Sequence, residues 1–208
     1  RKGAEKVNKG RAKELALRWL DEATLNGQPA GAELTADYVD KFNYFLYDVL
    51  TYVAAIFRLS RTMEVPPEEV VARGPYYVVT MPVDFMDMDM VKAYSDTTYY
   101  AIPNYQRETE KTILIRRDDV KKGDTIEVFY FGLPKAVAVD APEDTELEIV
   151  PKAEQLVPLR LAIEATAGSD ETSAISAYLE NKWSNMVMNL LGEQRGAYNQ
   201  MVERVYAQ

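Results

Sequence analysis

The sequence predicts an α+β fold: a helical bundle of about four helices, with an inserted small antiparallel β-sheet and a C-terminal tail. Three observations predict it. Apolar residues recur at three- and four-residue spacing through residues 10–61 and again through 152–191, which is the pattern of amphipathic helices. Between them, over about 75–139, β-branched and aromatic runs are bounded by Pro, Asn, Asp or Gly, as strands are. After Leu191 the pattern is weakened by Gly192 and Gly196, leaving 192–208 as a tail. All 208 residues read as one domain.

The first helix is predicted over Gly10–Leu25, where Ala12, Leu15, Ala16, Trp19, Leu20 and Ala23 build one apolar stripe. Asn26-Gly27-Gln28-Pro29 ends it, because Gly favours a helix C-terminus and Pro cannot continue one. The second helix is predicted from Thr35, a good N-cap, to Arg61. Phe42, Leu46, Val49, Leu50, Val53 and Phe57 supply its core stripe, and Tyr44, Tyr47 and Tyr52 broaden it, so more than one side should be contacted. Pro66-Pro67 marks a firm boundary. A single sheet of about four strands is then expected from Tyr76–Met81, Thr97–Ile102, Thr112–Arg116 and Thr125–Phe131. The last two are joined by Arg117–Asp124, a hairpin connection containing Gly123. An acidic connector, Asp140–Glu148, leads to the helical patterns Lys152–Ala167 and Glu171–Leu191, separated by Gly168-Ser169-Asp170. Tyr198–Tyr206 reads as a further short helix or as a tail that orders on a partner.

Composition narrows the chemistry. Lys and Arg number 24 against 33 Asp and Glu, a net charge of −9. Tight duplex binding by phosphate neutralisation is disfavoured, since only Arg1–Lys13 and Arg116-Arg117 with Lys121-Lys122 form basic clusters. Cysteine is absent, which removes disulfides, thiol nucleophiles and thiolate metal sites. Histidine is absent as well, which removes triad hydrolysis and imidazole-ligated zinc. Lys, Tyr and carboxylate chemistry remains open. The longest uncharged apolar run, Val49–Phe57, is too short to span a bilayer, so no membrane partner is expected. No charged-then-apolar leader and no initiator Met open the sequence, so a start that is processed or lies outside the numbered residues is expected, with no export signal in the residues shown.

Asp84, Asp87 and Asp89 are the obvious metal candidates. Phe85, Met86, Met88 and Met90 interleave with them, however, and no Gly turn or closing Glu follows as a calcium loop requires. A solvated loop or amphipathic segment is the expectation. Glu108, Glu110, Asp118 and Asp119 could pair as hydrolytic carboxylates, but nothing in their spacing sets them across a cleft. Gly27–Gly31 lacks the Lys-Ser/Thr of a phosphate loop and reads as a linker. No catalytic residue, cofactor site or metal site is therefore assigned, and an enzyme is not expected. The 14 Tyr against six Phe suggest contact surfaces, since Tyr joins apolar area to a polar tip. Most should be half-buried strand residues. Tyr99, Tyr100 and Tyr105, near a loop, are the candidates for an interface or for a carbohydrate platform.

Several features form a characteristic order. These are the strand ending Phe131-Gly132-Leu133-Pro134, the acidic run to Leu147-Glu148-Ile149-Val150-Pro151, the apolar helix around Leu156–Ala165, and the helix Ser176–Leu190. This layout, preceded by two helices and a β insertion, resembles the head–tail connector (adaptor, or head-completion) proteins of tailed bacteriophages. The resemblance implies a connector-like domain that forms a homo-oligomeric ring, commonly a dodecamer, beneath the portal protein. Such a ring extends the DNA channel without sequence-specific binding and joins head to tail, or to further neck proteins. It implies a place in the virion neck after assembly in the host cytoplasm. By position, Arg195, Tyr198, Met201, Val205 and Tyr206 would engage the portal, and the β region would face the tail or neighbouring subunits. The alternative expectation is a carbohydrate- or surface-binding module built on the Tyr-rich β region.

Overall fold

The computed structural model describes residues 7–23, 32–96, 98–167 and 172–206, with the side chains of 22–23, 32–35 and 194–206 outside that description. The chain divides into two compact units. One is built from both ends of the sequence, up to Phe57 and from Lys135 onward, and the other is Arg58–Pro134.

The first unit is helical: α1 (Lys9–Ala23), α2 (Ala32–Phe57), α3 (Leu156–Thr166) and α4 (Ser173–Tyr206). The shortest of them is its centre. Leu156, Val157, Pro158, Leu159, Leu161, Ala162, Ile163, Ala165 and Thr166 of α3 are all buried, which is the signature of a helix enclosed by others. All three other helices pack against it. α1 supplies Ala12, Ala16 and Leu20, α2 supplies Phe42, Leu46, Val49, Leu50, Val53 and Phe57, and α4 supplies Leu179 and Trp183. Four helices, the number expected, make up this unit among the described residues. Gly192 and Gly196 do not end α4, which continues as one helix to Tyr206. The expected tail is therefore corrected: a helical propensity cost of about 1 kcal/mol per Gly is not enough to stop a helix already 19 residues long at Leu191.

The acidic connector is fixed rather than loose. Asn8 caps α1 by accepting a bond from the Arg11 N–H at 2.8 Å. The next free amides of the first turn, on Lys9 and Gly10, donate to the carbonyls of Thr145 (2.9 Å) and Glu143 (2.8 Å). Lys9, only 1% exposed, donates from Nζ to the carbonyls of Val139 at 2.7 Å and Ala141 at 2.8 Å. Lys13 Nζ pairs with Glu143 and reaches Asn43 Oδ1 at 3.2 Å. Gly10 suits this close approach, since a Cβ would sit 3.2 Å from the Glu143 carbonyl oxygen, a contact that only a small shift of the connector would relieve.

The second unit overturns the expected single small sheet. Among the described residues it holds two antiparallel sheets of four strands each. The first runs β1–β8–β4–β5, with β1 at Ser60–Val65, β4 at Phe85–Tyr94, β5 at Tyr99–Ala101 and β8 at Thr125–Gly132. The second runs β2–β3–β7–β6, with β2 at Val71–Arg73, β3 at Tyr76–Thr80, β6 at Tyr105–Thr109 and β7 at Thr112–Arg116. Val79, Ile113 and Ile115 from one sheet meet Val91, Ala93, Ile126, Val128 and Tyr130 from the other in one core. The chain is thus strand-rich, not a helical bundle with a small insert.

The overlooked strands have physical reasons. The predicted second helix runs to Arg61, whereas α2 ends at Phe57 and Ser60–Val65 form β1, whose exposure alternates residue by residue. The segment from Asp84, expected as a solvated loop or amphipathic segment, forms strand β4, although Asp disfavours strands. Met/Asp alternation is nevertheless a period of two, and Phe85, Val91 and Ala93 are buried. Two register shifts, at Phe85/Asp87 and Met88/Met90, accommodate it against β8. β6 is exposed along nearly its whole length, so its sequence carries no alternation to read.

Candidate functional site

The three tyrosines expected at an interface occupy three different environments. Tyr99 is 56% exposed and lies directly across from Tyr94 in the β4–β5 pair. Its hydroxyl donates to Glu127 Oε2 at 2.6 Å. Tyr100, the next residue on β5, packs against the β core. Its hydroxyl donates to Asp124 Oδ2 at 2.9 Å and accepts from the Lys121 N–H at 2.9 Å. Alternation along a strand sends neighbouring side chains to opposite faces, so Tyr99 and Tyr100 do not share a platform. Tyr105 is half-buried against the same core. Only Tyr99 presents a ring to solvent.

Around Tyr99 the sheet builds a pocket. Glu64, Tyr94, Ser95, Asp96, Thr98, Tyr99 and Glu127 line an open depression of about 390 Å³. Glu64 and Glu127 are direct cross-strand partners on β1 and β8, and Lys92 opposes Glu127 from β4. The Lys92 ammonium sits 4.7 Å from the Tyr99 ring centroid and 4.8 Å from that of Phe129. Partial burial, then the negative charge of Glu64 and a hydrogen bond to it, then Glu127, raise the Tyr94 phenol above its ordinary pKa. Tyr100 is raised too, first by burial and also by Asp124, against the opposing bond from the Lys121 backbone. The sequence marked Tyr99 but missed Tyr94, Glu64 and Glu127, because only the strand register brings them together.

The carboxylate candidates separate. Asp84 lies 2.9 Å from the Arg61 guanidinium, which also donates to the Leu133 carbonyl at 2.8 Å. Asp87 and Asp89 are exposed on β4. Glu108 pairs with Arg73, Glu110 lies in the turn after β6, and Asp118 and Asp119 belong to a 3₁₀ turn at Arg117–Asp119. Among the described residues no group of three or more carboxylates is placed to hold a metal ion.

A second surface lies on the helical unit. The exposed residues of α4 between Ser173 and Glu193 are Ser173, Ala174, Ala177, Tyr178, Asn181, Lys182, Ser184, Asn185, Met188, Asn189, Gly192 and Glu193. Only Lys182 and Glu193 among them are charged, and Met188 is 65% exposed. Arg195, Tyr198, Met201, Val205 and Tyr206 fall on the backbone of the same helix, with their side chains outside the described residues. On the opposite kind of face, α2 exposes Asp37, Asp40, Tyr44 and Asp48.

The sequence matches no protein-family model and no curated protein. Among the described residues no helix is long and apolar enough to cross a membrane.

Proposed function

We propose that the chain is a structural, non-enzymatic subunit of a ring in the neck of a tailed bacteriophage, docked beneath the portal and joining head to tail. The observation that carries this reading is the exposed face of α4. In a chain that is 27% charged, the exposed residues of α4 between Ser173 and Glu193 include only Lys182 and Glu193 as charges, with the partly exposed Glu180 paired to Arg160. Depletion of charge beside exposed Met and Tyr is what the centre of a protein–protein contact looks like. A closed ring needs two unlike patches on each subunit, and the acidic, Tyr44-bearing face of α2 is unlike the α4 face. The net charge of −9, repeated around a channel, repels phosphate and lets DNA pass without sequence-specific binding.

The test mixes the purified protein with portal rings and follows sedimentation. Wild-type protein co-sediments with the portal. The double variant Tyr178→Glu and Met188→Glu, which places charge at two exposed positions, keeps its helical circular dichroism and loses assembly. Assembly unaffected by both charges would remove the α4 face from the interface.

A further inference from the structure

A groove of about 400 Å³ opens on the helical unit, lined by Arg11, Leu15, Arg18 and Trp19 of α1 and by Gln155 and Pro158 at the start of α3. Leu15 is half-buried yet lies outside the core built around α3, so its apolar surface has a use still open. In a chain of net charge −9 the groove is lined by two cations and by no carboxylate. Glu14 bonds to both arginines, at 2.6 Å and 2.5 Å. One carboxylate shared by two guanidiniums leaves positive charge over. A guanidinium carries five N–H donors, and each of these spends one on Glu14.

The complement lies on α2. Asp37, Asp40, Tyr44 and Asp48 are exposed and recur at three- and four-residue spacing, so they share one stripe of the helix. Tyr44 is 69% exposed. Asp37 pairs with Lys41 at 2.7 Å, whereas Asp40 and Asp48 pair with no described residue. At a rise of 1.5 Å per residue, Arg11 and Arg18 stand about 10.5 Å apart along α1, and Asp40 and Asp48 about 12 Å apart along α2. A helix-to-helix contact therefore sets one aspartate against each arginine. Tyr44, midway between the aspartates, then enters the apolar groove, where its ring and its polar tip both suit a contact.

We propose that the α2 stripe of one copy docks in the α1–α3 groove of the next. The two faces are unlike, so the contact is heterologous and builds a ring or a filament rather than a closed pair. It deepens the neck reading, rests on it only for the choice of a second copy as occupant, and leaves the α4 face for the portal.

The test follows the full chain by sedimentation velocity at low ionic strength. Wild-type protein should associate as its concentration rises, and salt should weaken that association. Two charge-reversed variants, Arg11→Glu with Arg18→Glu and Asp40→Arg with Asp48→Arg, change only exposed positions and should keep helical circular dichroism. Each alone should raise the dissociation constant at least about tenfold, because like charges then meet across the contact. An equimolar mixture should recover association. The acidic groove of the first variant accepts the basic stripe of the second, and the second's native groove accepts the first's native stripe. Loss of folding would not be repaired by mixing. Wild-type protein that stays monomeric up to its solubility limit, association indifferent to either reversal, or a mixture that does not recover would overturn the proposal. So would association lost on groove reversal and untouched by stripe reversal, which would mark an acidic occupant from elsewhere. Recovery on mixing without any docking on portal rings would remove the neck reading and leave this contact standing. Portal docking by a chain whose association ignores both reversals would do the reverse.

Discussion

Gly132 shows how much one position can carry. A Cβ there would fall 2.6 Å from Arg61 Cδ and 2.7 Å from its Nε, within the arginine that pairs with Asp84. Gly132→Ala should therefore cost about 1–3 kcal/mol in urea unfolding, the range for overpacking a filled site. Lys9 is a stronger case. Its ammonium satisfies the carbonyls of Val139 and Ala141 while nearly fully buried. Lys9→Ala leaves both short of a donor and should cost about 1–3 kcal/mol per unsatisfied group. Hydrogen exchange should then speed up at the Lys9, Gly10 and Leu147 amides, which bond to or from this segment. At Tyr100 the raised pKa favours the neutral phenol in the folded state. Its contribution to stability is intact below the unfolded pKa of about 10 and is lost as pH rises through the folded value. Tyr100→Phe should show a shallower loss of stability above that pH, read from urea midpoints. None of these roles was visible in the sequence. Asp84 reads as a metal candidate through its spacing to Asp87 and Asp89, while its salt-bridge partner Arg61 lies on β1, distant in sequence.

At the scale of elements, legibility followed how much of the burial pattern is local. α3 is readable because Leu156, Leu159, Leu161 and Ile163 sit in an apolar run that only Arg160 interrupts. Leu159→Ala removes a side chain with no exposed surface at the centre of the helical unit and should cost about 2–5 kcal/mol, measured by chemical unfolding. β8 was readable because its inward and outward residues alternate without a fault. β4 was misread because Asp87 and Asp89 occupy outward positions, where charge is normal, beside Met residues that pack inward only in part. β1 shows the same limit, since Arg61, Met63 and Val65 are merely half-buried. The acidic connector looked like a linker because its carbonyls, not its side chains, form most of its bonds to α1. Backbone partners leave no trace in residue identity.

For the whole molecule, the order of helices and strands was legible and the balance between them was not. The helical unit draws on both ends of the sequence, which the paired apolar stripes before and after the β region already implied. The second unit holds two sheets around one core, where period-two alternation beyond the four strongest runs was too weak to register. The contact surfaces were legible in part. Tyr99 was marked, whereas the charge-poor face of α4 depends on knowing which of its residues are buried. The neck-ring reading joins that face, the acidic charge and the order of elements into one expectation about where the chain resides. Under the proposed neck role the chain belongs to a phage particle, and cryo-electron microscopy of that particle tests this most directly. A neck-ring subunit appears as a closed ring immediately beneath the portal, with α4 at a subunit or portal contact. Density for the chain elsewhere in the particle, or none in the particle at all, would contradict it.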